Sequence, residues 1–112
     1  MPNSSPYTLR DVSGKGALVT FSKGDIQQLP SDAEKEELVD VVRKHDQTVI
    51  DLTETDLIGT RWLVCFARMT SEAKAGSGRV RVVGAKKTTR DTADLIAAKL
   101  NFADSVDNAW AK

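Results

Sequence analysis

The sequence predicts an α/β fold: a mixed β-sheet with helices packed against it. Three observations carry that expectation. Val49 to Leu52 and Val80 to Val83 are short β-branched runs with the length and composition of buried strands. Amphipathic helical segments separate the later strands, and a helix between strands implies a parallel crossover. Near the start, two strand-like runs flank Ser13-Gly14-Lys15-Gly16, a hairpin turn that adds an antiparallel pair. The chain has 112 residues, 40% of them hydrophobic and 29% charged, which suits one globular domain with a core of its own.

Each element follows in order. Residues 1–6 are rich in Pro and Ser and read as a disordered segment, leaving 7–112 as a single domain. Tyr7–Val12 and residues 17–22 are the hairpin strands. Gly24-Asp25-Ile26 leads away into a loop ending at Pro30. Residues 31–45 form the clearest helix: Ser31 and Glu34 make a capping-box pattern, and Leu38, Val41, Val42 and His45 share one face. A strand spans 48–53, and the next helix starts near Thr60 and ends before Gly76-Ser77-Gly78. A strand at 79–84 follows. Thr88 and Asp91 then suggest a second capping box, opening a helix whose core face is Ala93, Ile96, Ala97 and Leu100. The tail reads as a short edge strand at 102–106 and a helical turn carrying Trp110.

Composition excludes several functions. Lys plus Arg equals Asp plus Glu at 16 each, so no global field draws the chain to nucleic acid or an acidic membrane. The single cysteine, Cys65, has no internal disulfide partner and sits in an apolar run, as buried thiols do in reducing compartments. With no bilayer-length apolar stretch and no signal-peptide pattern at the start, a cytoplasmic protein without membrane insertion is expected. The one histidine and one cysteine suggest no nucleophile pair; His45 at a helix end is favoured by the helix dipole. Neither Gly14-Lys15-Gly16 nor Gly76-Ser77-Gly78 has phosphate-loop spacing. Arg79, Arg81, Lys86, Lys87 and Arg90 read as a solvated basic face, with a small anion site as the other reading. No enzyme activity, metal or cofactor is expected.

Attention therefore falls on Val49-Ile50-Asp51-Leu52-Thr53, a polar turn, then Leu57-Ile58-Gly59-Thr60-Arg61-Trp62-Leu63. Gly59 frees the backbone to turn, and Thr60 suits a helix N-cap. Strand-to-helix crossovers are where α/β folds place binding surfaces. A phosphate on Thr60 would meet the positive end of the helix dipole and add charge where a partner docks. Trp62 has two readings: an exposed interface anchor or a core residue.

These residues resemble the STAS domain, found in bacterial anti-sigma factor antagonists and sulfate-transporter tails. Val49 to Thr53 matches that family's V-x-D-L-S strand, and Ile58 to Leu63 stands where the family has I-D-[ST]-S-G-L. Gly24-Asp25-Ile26-Gln27 lies at the family's G-x-[LI]-D turn, residues 79–84 resemble its fourth strand, and Leu100-Asn101-Phe102 stands near its Gly-Leu pair. The departures are Gly59 for aspartate, Thr60 for serine, Arg61 for a small residue, Trp62 for glycine and Gln27 for the turn aspartate. The resemblance implies a regulator that docks an anti-sigma factor or serine/threonine kinase through Gln27, Gly59, Thr60, Arg61 and Trp62, with Thr60 as the phosphorylation candidate. It leaves open an unphosphorylated scaffold in a larger or transporter-associated complex, and an anion- or nucleotide-binding domain using Arg79, Arg81 and Lys86. Homo-oligomers are compatible with all three.

Overall fold

Alternating apolar residues build the sheet from its middle strands outward. The computed structural model describes residues 6–22, 24–76, 78–96 and 98–110. Its elements are β1 (Tyr7–Val12), β2 (Gly16–Phe21), β3 (Asp25–Ile26), α1 (Asp32–Lys44), β4 (Gln47–Asp51), β5 (Leu57–Ile58), α2 (Thr60–Ala75), β6 (Arg79–Val83), α3 (Lys87–Leu95), β7 (Phe102–Ala103) and α4 (Val106–Trp110). Five strands form one sheet in the order β1-β2-β4-β6-β7. β1 and β2 are the antiparallel hairpin, and every other neighbouring pair is parallel. β3 and β5 form a separate parallel pair.

The two faces of the sheet are covered unequally. Val19, Phe21, Ile50, Val80 and Val82 point toward α1, α2 and α3, where they meet Leu38, Val42, Leu63, Phe66, Met69 and Ala93. Phe21 is the hub of this core, with ring centroids 5.5 Å from Tyr7, 5.4 Å from Trp62 and 5.5 Å from Phe66. Such tilted and edge-on contacts add to the area each ring buries. On the opposite face, among the described residues, Val49 and Val83 meet only Ala109 and Trp110 of α4 as buried partners. Arg81, on β6, holds α4 in place by donating from Nη1 to the Asn108 and Ala109 carbonyls at 3.4 and 3.0 Å.

Local chemistry sets the helix bounds. Ser31 caps α1: its Oγ accepts from Glu34 N–H at 3.1 Å, and Glu34 Oε1 accepts from Ser31 N–H at 2.9 Å. The buried face of α1 is Leu38, Val39 and Val42, not the expected stripe through Val41 and His45. Because α1 packs against both β4 and α2, its apolar arc turns toward Val39; His45 is the C-cap.

The expected capping box at Thr88 and Asp91 does not form. Lys86 is the N-cap, its Nζ donating to the Thr53 carbonyl at 2.8 Å, and Asp91 is taken by Lys87 Nζ at 2.9 Å. α3 also ends sooner than expected, with Ile96 as its C-cap. Ala93 is core, whereas Ile96 is 37% exposed and Leu100 packs against the core from beyond the helix. Ala97 and the middle residue of Gly76-Ser77-Gly78 lie outside the described residues, as do residues 1–5 of the expected disordered segment. Pro6, assigned to that segment, is buried. At the tail β7 stops at Ala103, so Val106 belongs to α4 and not to the edge strand. Gly84, at φ 73°, lies so close to Thr53 that a Cβ would collide with the Thr53 backbone.

Candidate functional site

The start of α2 is positioned by a pairing that the sequence does not advertise. Ile26 pairs with Ile58, and Gly59 N–H donates to the Ile26 carbonyl at 3.0 Å. The loop expected at Gly24-Asp25-Ile26 is therefore a short strand that brings Gln27 beside Gly59. Extension through Ile58 makes Gly59 the last non-helical residue, with φ −66° and ψ 151°. Gly59, not Thr60, is the N-cap, and no side chain caps this helix. Thr60 is the first helical residue. Its side chain is exposed and its hydroxyl has no partner among the described residues.

Trp62 faces inward. It is 0% exposed, packs edge-on against Phe21 and Tyr7, and donates from Nε1 to the Gln28 carbonyl at 2.8 Å. Of its two readings the core one holds: Trp62 ties α2 to the segment before α1 and offers no surface to a partner. Gln27 is exposed and donates to Asp25 Oδ2 at 2.8 Å. Gln27, Gly59, Thr60 and Arg61 thus form one patch above a tryptophan anchor.

Beside this patch, between α1 and α2, lies a groove of about 250 Å³ lined by Leu29, Pro30, Lys35, Arg61, Val64 and Arg68, with Cys65 in its wall. Leu29, Lys35, Val64 and Arg68 belong to no motif in the sequence. The available signal was an apolar Val64 on the stripe that carries Arg61 and Arg68, at helical spacing. Burial pushes the Cys65 thiol above its ordinary range, leaving it protonated near neutral pH.

The other candidates do not converge. His45 Nδ1 donates to the Val41 carbonyl at 2.8 Å, and Nε2 is 3.8 Å from Asp11 Oδ1. Cys65 lies by the first turn of α1, about 15 Å along that helix from its His45 end, so the two are no nucleophile–base pair. Arg79 donates to Gln47, Arg81 holds α4, Lys86 binds Thr53, and Arg90 lies 4.9 Å over the Phe102 ring. Those cations are spent on separate structural contacts. Among the described residues no group of three or more His, Cys, Asp or Glu could hold a metal, and no helix is long and apolar enough to cross a membrane.

Comparison with solved structures places this architecture. The anti-sigma factor antagonist SpoIIAA in its unphosphorylated form superposes with a TM-score of 0.74 at 10% identity, covering 90% of this chain and 89% of that one. An anti-sigma-factor antagonist (STAS) domain protein from Planctomyces limnophilus gives 0.76 at 9% identity, covering 96% and 97%. The fold is that of the STAS domain. A serine-to-glutamate variant of RsbS from Moorella thermoacetica gives 0.72 at 14% identity, covering 94% and 92%. No family model matches the chain, and no curated protein matches it. At these identities the likeness is one of fold, and in the STAS frame the patch at the start of α2 stands at the strand-to-helix crossover.

Proposed function

We propose that this STAS domain is a non-catalytic regulator that docks a protein partner, an anti-sigma factor or a serine/threonine kinase, through Gln27, Gly59, Thr60 and Arg61. The observation that carries the reading is the exposed, unpartnered Thr60 hydroxyl at the first residue of an uncapped helix. A phosphate there would meet the positive end of α2 and the neighbouring Arg61, so the fold would tolerate it. The docking face would then carry close to two added negative charges. SpoIIAA, a neighbour in fold, has been solved in both unphosphorylated and phosphorylated forms, which supports a phosphate-controlled role by analogy.

A second reading is docking without phosphorylation. It is favoured by Gly59, which stands where the STAS pattern has aspartate.

The test starts with a pull-down to identify the partner, followed by titration of wild type, Thr60→Glu and Thr60→Ala. Thr60→Glu should weaken binding about tenfold or more, about 1.4 kcal/mol, while the fold survives. Thr60→Ala should keep binding. Intact mass after incubation with ATP and partner separates the two readings: a phosphate absent from Thr60→Ala supports the switch. A partner that binds Thr60→Glu as tightly as wild type would place the docking surface elsewhere.

A further inference from the structure

The groove between α1 and α2 has a chemistry that the start of α2 does not explain. Its floor is apolar and open: Leu29 is 68% and Val64 54% exposed, above buried Pro30 and Cys65. Its rim is cationic. Arg61 and Arg68 rise from α2, and Lys35 faces them from α1. Arg61 forms no ion pair among the described residues. Lys35 Nζ is 3.6 Å from Asp32 and Arg68 Nη2 is 3.5 Å from Glu36; both pairs are long and solvent-exposed, so an incoming carboxylate can replace them at little cost.

Such a surface selects its occupant by charge as well as by shape. We propose that this groove seats an acidic amphipathic segment of a protein partner, its apolar residues on Leu29 and Val64 and its carboxylates on Arg61, Arg68 and Lys35. Guanidinium groups match carboxylates through paired N–H donors. At about 250 Å³ the groove is smaller than the roughly 300–1,000 Å³ of typical small-molecule pockets. It is partly open to solvent, with Leu29 and Val64 exposed, which suits side chains projecting from a helix laid across it. A basic segment meets repulsion from the rim, and a nucleic-acid backbone has no apolar surface to cover Leu29 and Val64. The inference rests on the reading of the α2 start as a docking surface, which it extends by about two helical turns, from Thr60 to Arg68.

The experiment uses the full chain labelled with nitrogen-15 and two synthetic peptides about four helical turns long. Both carry the same leucine face; one is flanked by glutamates, the other by lysines. The glutamate peptide should shift the amides of Leu29, Lys35, Val64 and Arg68, and its affinity should fall as salt is raised. Arg61→Glu and Val64→Asp should each weaken it about tenfold. Arg61→Gln, which removes the charge and disturbs the fold less, should weaken it in the same direction. Equal binding of both peptides, binding of neither, or shifts centred on Leu95 and Ile96 would overturn the inference.

The two claims fail separately. If the captured partner ignores Thr60→Glu while the glutamate peptide still seats in the groove, the helix-start reading falls and the groove stands. If the partner is sensitive to Thr60→Glu and the peptide does not bind, the groove falls alone.

Discussion

The two long helices of this domain begin in opposite ways. α1 starts closed: Ser31 and Glu34 satisfy each other's backbone N–H groups, and Asp32 and Glu34 put negative charge against the positive end of the helix. α2 starts open: Gly59 brings no side-chain acceptor, the first turn has no acid, and its one charged side chain is the cation of Arg61. Both starts lie on the surface, yet only α1 is stabilised by its own side chains there. The start of α2 is held from beneath, by Trp62 in the core and its bond to Gln28. A helix end anchored by packing is free to leave its outward groups for another molecule.

The largest break in this contrast is Trp62→Ala, which removes the anchor beneath α2 and should cost about 3–5 kcal/mol in urea titration. A loss below about 1 kcal/mol would mean that α2 is not held this way. Next comes the matched pair Ser31→Ala and Thr60→Ala. The first should cost about 1 kcal/mol by opening the α1 cap, and the second less than about 0.5 kcal/mol. Equal losses would erase the asymmetry. Gly59→Asp should close the α2 start and raise stability by about 0.5 kcal/mol. A side chain fits at that position: a Cβ there has the Ile26 carbonyl oxygen 3.7 Å away, an ordinary contact. Thermal melting that shows no gain would indicate that the end is already satisfied.

The smallest effect concerns Cys65. Its thiol titrates above the ordinary 9.0 in the folded state because burial disfavours the thiolate. Above that ordinary value the unfolded chain loses the proton while the folded chain keeps it, so stability falls as pH rises through the window up to the folded pKa. Cys65→Ala should flatten that decline in denaturation series run across alkaline pH; an unchanged slope would assign it to other groups.

The contrast between the two helix starts also marks what the sequence could reveal. The α1 cap was legible because Ser31 and Glu34 are three residues apart and need only each other. The strands β4 and β6 were legible because β-branched residues crowd into short runs. Placing the α2 cap at Thr60 failed because the turn is set by the β3–β5 pairing, and two-residue strands leave no periodic trace. The same logic explains α3, where Thr88 and Asp91 have the right spacing but Lys86 reaches Thr53, 33 residues away, and fixes the start earlier. Ile96 falls on the apolar stripe of a longer helix, but α3 ends at Leu95 and leaves it 37% exposed, so Ile96→Ala should cost less than about 1 kcal/mol. At the candidate site, Gln27 and Thr60 stand out through the family pattern alone. The groove does not, because Leu29 and Lys35 meet Val64 and Arg68 only once α1 and α2 are packed.

The short helix α4 carries a consequence for how the domain opens. The five described residues of α4 are too few to be helical alone, so α4 depends on Trp110 and Ala109 resting on Val49 and Val83 and on Arg81 gripping its last turn. Its backbone amides should exchange with deuterium by a local opening far less costly than global unfolding, ahead of those in β4 and β6. Each such opening uncovers the valines of the central strands while the aromatic core on the other face stays intact. The domain therefore has a weak door on one side of its sheet, opposite the face that carries α1 and α2.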